Sequence, residues 1–182
     1  MAGDDAWMRA EMGGTSRASV IGKPEVVGAL LKRAKRPLFI VGHEVTATGL
    51  ASGPLTRFMK AGSTIRHIPV IATSSTARDL IAEGIQVAAI MGSMEIIDRL
   101  RDPEWKGFDG QGSYDLIFLA GLPYQFCWTL LSGLRNGAPA LKTVTLDPKY
   151  HPHASWSFGN MATGPWQEQL QAITALLEEK HV

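Results

Sequence analysis

One short apolar run constrains this chain more than anything else in it. Leu116-Ile117-Phe118-Leu119-Ala120 is a stretch of five apolar residues between Asp115 and Gly121. It is far shorter than the roughly 20 residues of a membrane span. A continuous apolar run of this length, bounded by turn formers, is the pattern of a strand buried on both faces of a parallel sheet. Leu38-Phe39-Ile40-Val41, ending at Gly42, repeats the pattern. Ile68-Pro69-Val70-Ile71-Ala72 and Thr143-Val144-Thr145-Leu146 supply two more strands. Residues 86–91 read as either a fifth strand or a helix.

Helical patterns separate these runs. Pro24 suits a first helical position, with Val26, Val27, Leu30 and Leu31 at helical spacing after it. Lys32, Arg33, Lys35 and Arg36 suit the carboxyl end of that helix, which Pro37 stops. A second helix, from Pro54, places Leu55, Phe58 and Met59 on one face. Thr73-Ser74-Ser75-Thr76 offers N-caps for a third, running through Leu80 and Ile81 to Gly84. Ile96, Ile97 and Leu100 predict a helix from Ser93, ended by Asp102-Pro103. After Pro123, Phe126, Leu130, Leu131 and Leu134 line a helical face; Cys127 lies on the apolar side and Trp128 roughly opposite. The last helix starts at Pro165 and aligns Trp166, Leu170, Ile173 and Leu177. Strands alternating with helices predict an α/β chain, a three-layer Rossmann-like parallel sheet. Residues 23–182 are expected to form a single domain. Residues 1–22 read as a tail, or as an arm ordered by a partner, because Trp7, Met8 and Met12 are costly to leave in water.

Composition narrows the function. The 182 residues can bury a sizeable core without staples. The formal net charge is only +1, far from the basic bias of a nucleic-acid binder. Cys127 is the single cysteine, so the chain cannot hold an iron–sulfur cluster or a thiolate zinc site by itself. An electron-transfer role would need an organic cofactor, or metals on another chain. No signal-like apolar segment opens the sequence. A cytoplasmic protein without a membrane span is expected.

In open parallel sheets, ligands bind beyond the carboxyl ends of the strands. Those ends are Gly42-His43-Glu44, Thr73-Ser74-Ser75, Gly121-Leu122-Pro123-Tyr124 and Asp147-Pro148-Lys149-Tyr150. Glycine lets backbone approach a ligand closely, and helix starts offer amides to phosphate. Gly42, His43, Ser74, Gly121, Tyr124 and Asp147 are therefore the candidate cofactor-binding residues. No G-x-G-x-x-G or Walker lysine follows the first strand, and no G-x-S-x-G elbow is present. His43-Glu44 reads as loop, since adjacent side chains diverge. His151-Pro152-His153 reads as hydrogen-bonding loop histidines, without the cysteines or carboxylates of a metal site. No catalytic residue and no metal is expected. The bulky groups near the last two strand ends leave two readings open: a roof over the domain's own core, or anchors for another subunit. The candidate partner-binding residues are Trp105, Trp128, Tyr150, His151, His153, Trp156 and Phe158.

Two long blocks carry a resemblance. Arg101-Asp102-Pro103-Glu104-Trp105-Lys106-Gly107-Phe108-Asp109-Gly110 with Gln111-Gly112-Ser113-Tyr114-Asp115-Leu116-Ile117 forms the first. The second runs through Leu141-Lys142-Thr143-Val144-Thr145-Leu146-Asp147-Pro148-Lys149-Tyr150 and His151-Pro152-His153-Ala154-Ser155-Trp156-Ser157-Phe158-Gly159-Asn160. Both resemble blocks of the epsilon subunit family of archaeal acetyl-CoA decarbonylase/synthase. Ala34-Lys35-Arg36-Pro37-Leu38-Phe39-Ile40-Val41-Gly42 is similar to that family's first strand. The resemblance implies a fold like the nucleotide-binding domain of deoxyhypusine synthase and sirtuins. It also implies a partner, the large alpha subunit of carbon monoxide dehydrogenase, in an alpha2–epsilon2 component. Nickel–iron–sulfur clusters would then lie only on the partner. The epsilon chain would be non-catalytic, stabilising the assembly or assisting electron transfer to flavin, with FAD as the one cofactor implied. Asp147-Pro148 stands where the family pattern has Asp-Arg, which removes a cation from the fourth strand end. Trp156 stands where a smaller or sulfur-bearing residue is usual. The alternative is an independent flavin- or nucleotide-binding redox protein.

Overall fold

A computed structural model describes residues 17–47 and 53–179. Its strands are β1 (Ser19–Val20), β2 (Pro37–Val41), β3 (Val70–Ala72), β4 (Val87–Ile90), β5 (Leu116–Ala120), β6 (Lys142–Thr145) and β7 (Trp156–Ser157). They form one all-parallel sheet in the order β1-β7-β6-β5-β2-β3-β4. Its helices are α1 (Pro24–Arg33), α2 (Glu44–Ala47), α3 (Pro54–Arg66), α4 (Ser74–Ala82), α5 (Ser93–Arg101), α6 (Tyr124–Gly137) and α7 (Thr163–Glu179). Strand alternation divides the core in two. Phe39, Val41, Phe118 and Ala120 face α1, α3, α4 and α7, while Leu38, Ile40, Ile117 and Leu119 face α5 and α6. The expected three-layer Rossmann-like architecture is therefore observed.

The centre of the sheet is a full-length pairing of β2 with β5, from Pro37 opposite Leu116 to Val41 opposite Ala120. Phe39, Phe58 and Phe118 meet above it with ring centroids 5.3 to 5.9 Å apart. Such contacts add to the area that each ring buries.

Several details depart from the sequence expectations. Residues 86–91 contain the strand β4. The strand expected from Ile68 begins at Val70, and α7 begins ahead of Pro165. Phe126 is 38% exposed, because the buried stripe of α6 runs through Cys127, Leu130, Leu131 and Leu134, a spacing that turns position 126 outward. The two-residue strands β1 and β7 carry no period long enough to read. Ser19 and Val20 pair with Trp156 and Ser157, so two residues of the 1–22 segment stand in the sheet. Residues 1–16, the rest of the expected tail or arm, lie outside the described residues. Among the described residues no helix is long and apolar enough to cross a membrane.

Tyr150 ties the sheet edge down. Its hydroxyl accepts from the Ala18 amide at 2.8 Å and donates to the Ala18 carbonyl at 2.9 Å. Both groups are buried, so removing the hydroxyl would strand two backbone partners. Tyr150→Phe is expected to lower stability by about 1–3 kcal/mol, read as a fall in the urea midpoint. It should also speed amide exchange at Ala18 and Ser19. An unchanged midpoint would show that the clamp carries no net stabilisation.

Candidate functional site

The chain leaves β2 toward β3 on one side and β5 toward β6 on the other. A crevice opens where the two directions part, beyond the carboxyl ends of the strands. Two glycines meet there. The Gly42 amide donates to the Ala120 carbonyl at 2.8 Å, and the Glu44 amide to the Gly121 carbonyl at 2.9 Å. A Cβ on Gly42 would strike the Gly121 carbonyl, and one on Gly121 would strike Val45. Gly121 also sits at φ 67°, a region that favours glycine. The Gly121 amide donates to Asp147 Oδ1 at 2.9 Å, which brings the end of β6 into the same junction.

Beside the junction is a cleft of about 150 Å³, lined by Glu44, Gly121, Tyr124, Asp147, Lys149 and His151 among others. Asp147 Oδ2 is buried without a hydrogen-bond partner. Burial pushes its carboxyl up to about 7; the Gly121 amide opposes this and the charge of Glu44 adds to it. The His151 ring stacks on Tyr124 with centroids 4.5 Å apart, and its Nδ1 is also unpartnered. Burial holds His151 down at about 4, with the charge of Lys149 acting the same way, so it is neutral at neutral pH. The Tyr124 hydroxyl donates to the Tyr150 carbonyl at 3.0 Å. The cleft therefore presents one protonatable carboxyl and one neutral imidazole to whatever small polar group enters.

Of the expected cofactor residues, Gly121, Tyr124 and Asp147 line this cleft, and Gly42 supports it through Gly121. His43 and Ser74 are exposed and do not line it. Glu44 and Lys149 line it without having been singled out, although both stand in the strand-end segments the sequence points to. The described residues do not fit the diphosphate of FAD. The glycines face each other instead of a ligand, two carboxylates stand beside one amine, and the volume is below the roughly 300–1,000 Å³ of sites for larger ligands. Burial raises the Cys127 thiol well above its ordinary value, in keeping with a packing role. Among the described residues, no group of three or more His, Cys, Asp or Glu side chains could hold a metal ion.

The residues expected to bind a partner do not share one surface. Tyr150, His151 and Phe158 are buried within this chain. Trp105 is half-buried against Phe108 and Tyr114. This cluster leads into the amino end of β5, not a carboxyl end, and the Arg36 guanidinium lies over Tyr114 at 5.0 Å. Trp156 is half-buried on β7. Trp128 and His153 are half-buried against each other, at 4.5 Å between ring centroids.

Comparison with known proteins gives a consistent picture. The model of the family described as CO dehydrogenase beta subunit/acetyl-CoA synthase epsilon subunit matches residues 7–175. A Methanothermobacter thermautotrophicus protein named acetyl-CoA decarbonylase/synthase complex subunit epsilon is 33% identical over 93% of this chain and 94% of its own length. A protein of the same name from Methanothrix soehngenii is 35% identical over 78% of this chain and 74% of its own. Subunit epsilon 1 of Archaeoglobus fulgidus is 36% identical over 80% and 77%.

The chemistry of the cleft is testable without a ligand. A carboxyl whose folded pKa is raised favours folding below its ordinary value and loses that contribution as pH rises through the folded value. Asp147 should therefore destabilise the fold progressively from about pH 4 to about pH 7. Asp147→Asn keeps an acceptor for the Gly121 amide and has no proton to lose. Its stability relative to the parent should rise across that window, by up to about 4 kcal/mol. Parallel urea-midpoint curves against pH would contradict the assignment.

Proposed function

Because the chain belongs to the CO dehydrogenase beta subunit/acetyl-CoA synthase epsilon subunit family, we propose that it is the accessory epsilon subunit of an acetyl-CoA decarbonylase/synthase complex. In this reading it docks to the large alpha subunit of an alpha2–epsilon2 carbon monoxide dehydrogenase component in the cytoplasm. It stabilises that assembly, and the nickel–iron–sulfur chemistry belongs to the alpha subunit. The observation that carries the reading is the near full-length match to a relative named as such a subunit.

Exposed apolar side chains support a docking role. Ile81 at the end of α4, Ile90 at the end of β4 and Met94 at the start of α5 are 56%, 54% and 50% exposed. They flank β4, the outer strand on that side of the sheet. Its sequence, Val87-Ala88-Ala89-Ile90, holds no charge and no proline. Unprotected edges of this kind invite another chain, and the alpha subunit is the occupant this reading assigns. Co-purification with a tagged alpha subunit tests it. The parent chain should be retained, and Ile90→Lys with Met94→Lys should weaken retention by about tenfold or more. A parent chain that never associates with the alpha subunit would end the proposal.

Flavin-assisted electron transfer is the second reading, favoured by the cleft's position at the switch point. The misfit of its lining to a diphosphate weighs against it. Titration with FAD to about 100 μM, where a site of about −5.5 kcal/mol is half filled, should leave tryptophan emission unchanged. Saturable quenching would restore the flavin reading.

A further inference from the structure

A second cavity lies toward the other end of α6. It is a polar pocket of about 360 Å³, formed where the carboxyl end of α6, the amino end of β6 and the segment before β7 meet Arg17. Arg17, Arg135, Lys142 and His153 line it, and no carboxylate among the described residues does. In a chain of net charge +1, that is a local concentration of positive potential, and the walls of a pocket focus it. Lys142 makes no ion pair among the described residues. Arg135 gives Nη1 to the Pro152 carbonyl at 3.3 Å, which leaves the rest of its donor fork for another acceptor.

A second observation points the same way. Both ring nitrogens of His153 are buried without a partner, although a neutral imidazole always carries one N–H donor. Trp128, whose ring packs against His153 at 4.5 Å between centroids, stands outside the lining and is a reporter of the His153 ring. The pocket thus combines cations with an unpartnered imidazole, and no carboxylate among the described residues lines it.

We infer that this pocket binds an oxyanion, the phosphate or carboxylate group of a small molecule. Arg135 would receive it through its fork, Lys142 would add charge, and His153 would donate one hydrogen bond. The inference does not depend on the complex proposed above, since the isolated full chain should bind. It carries a pH signature. Burial and the charge of Arg135 lower the pKa of His153, and a bound anion opposes both effects. Arg17, Arg135 and Lys142 are the other charged groups that line the pocket. Affinity for sulfate, whose own charge is constant there, should therefore rise as pH falls from about 7.5 to about 5.5.

The test is titration of the full chain with phosphate, sulfate and acetate at constant ionic strength, following the His153 ring and the Trp128 indole N–H by NMR. Trp128→Phe assigns the indole signal. Saturable shifts with a Kd below about 5 mM are expected, about tenfold weaker in Arg135→Ala. Lys142→Ala, at an exposed side chain, should weaken binding in the same direction if Arg135→Ala folds poorly. His153→Gln should abolish the pH dependence and keep residual binding. Tighter acetate than phosphate would identify a carboxylate carrier, and the reverse a phosphate carrier. Shifts that do not saturate, or that are equal in parent and both cation variants, would overturn the inference and leave a water-filled pocket.

Discussion

The closest constraint in this molecule is the meeting of Gly42 and Gly121. The central strands β2 and β5 run in register to their ends, so the turns that leave them must occupy the same space. Two residues without Cβ atoms make that possible. The Glu44 amide on the Gly121 carbonyl, and the Gly121 amide on Asp147, then lock three strand ends into one junction. The same contact decides what the switch point can hold. In a dinucleotide site the glycines open backbone toward a phosphate. Here they are used up against each other, and a carboxylate takes the Gly121 amide that such a phosphate could have used.

The central strands were legible because burial on both faces leaves no alternation, and Leu38–Val41 and Leu116–Ala120 show none. Helix limits were legible at Pro24, Pro54 and Gly84, where a proline or glycine marks them, while α7 begins ahead of its proline. The edge was not. β1 is fixed by Tyr150 acting on Ala18 across 132 positions, and no local pattern contains that pairing. Gly121, Tyr124 and Asp147 could be placed because strand ends converge by topology alone. His43 and Ser74 obey the same rule yet point elsewhere, since topology gives positions and not side-chain directions. The burial of Tyr150, His151 and Phe158 within the chain was hidden for a related reason. A run of bulky residues looks the same whether a short strand such as β7 folds it inward or leaves it for a partner.

The segment that follows β6 links the two cavities. Asp147 and His151 line the switch-point cleft, while His153 lines the cationic pocket. Pro152, between the histidines, is buried and its carbonyl accepts from Arg135. Helix α6 spans the same distance, with Tyr124 at one cavity and Arg135 at the other. The two ends differ in charge: two carboxylates and one amine at the first, two guanidinium groups, an amine and a histidine at the second.

This polarity bears on what an accessory domain of this fold can contribute. A nucleotide fold normally gathers its anion-binding groups at the carboxyl ends of its strands. In this chain the cations stand near the amino end of β6, and the carboxyl ends carry a carboxyl that burial protonates more easily than usual. Closing the junction with glycine against glycine stabilises the centre of the sheet and reduces the space for a cofactor there. The anion site inferred above stands toward the far end of α6, at residues that lie outside the phosphate-binding turn of the fold.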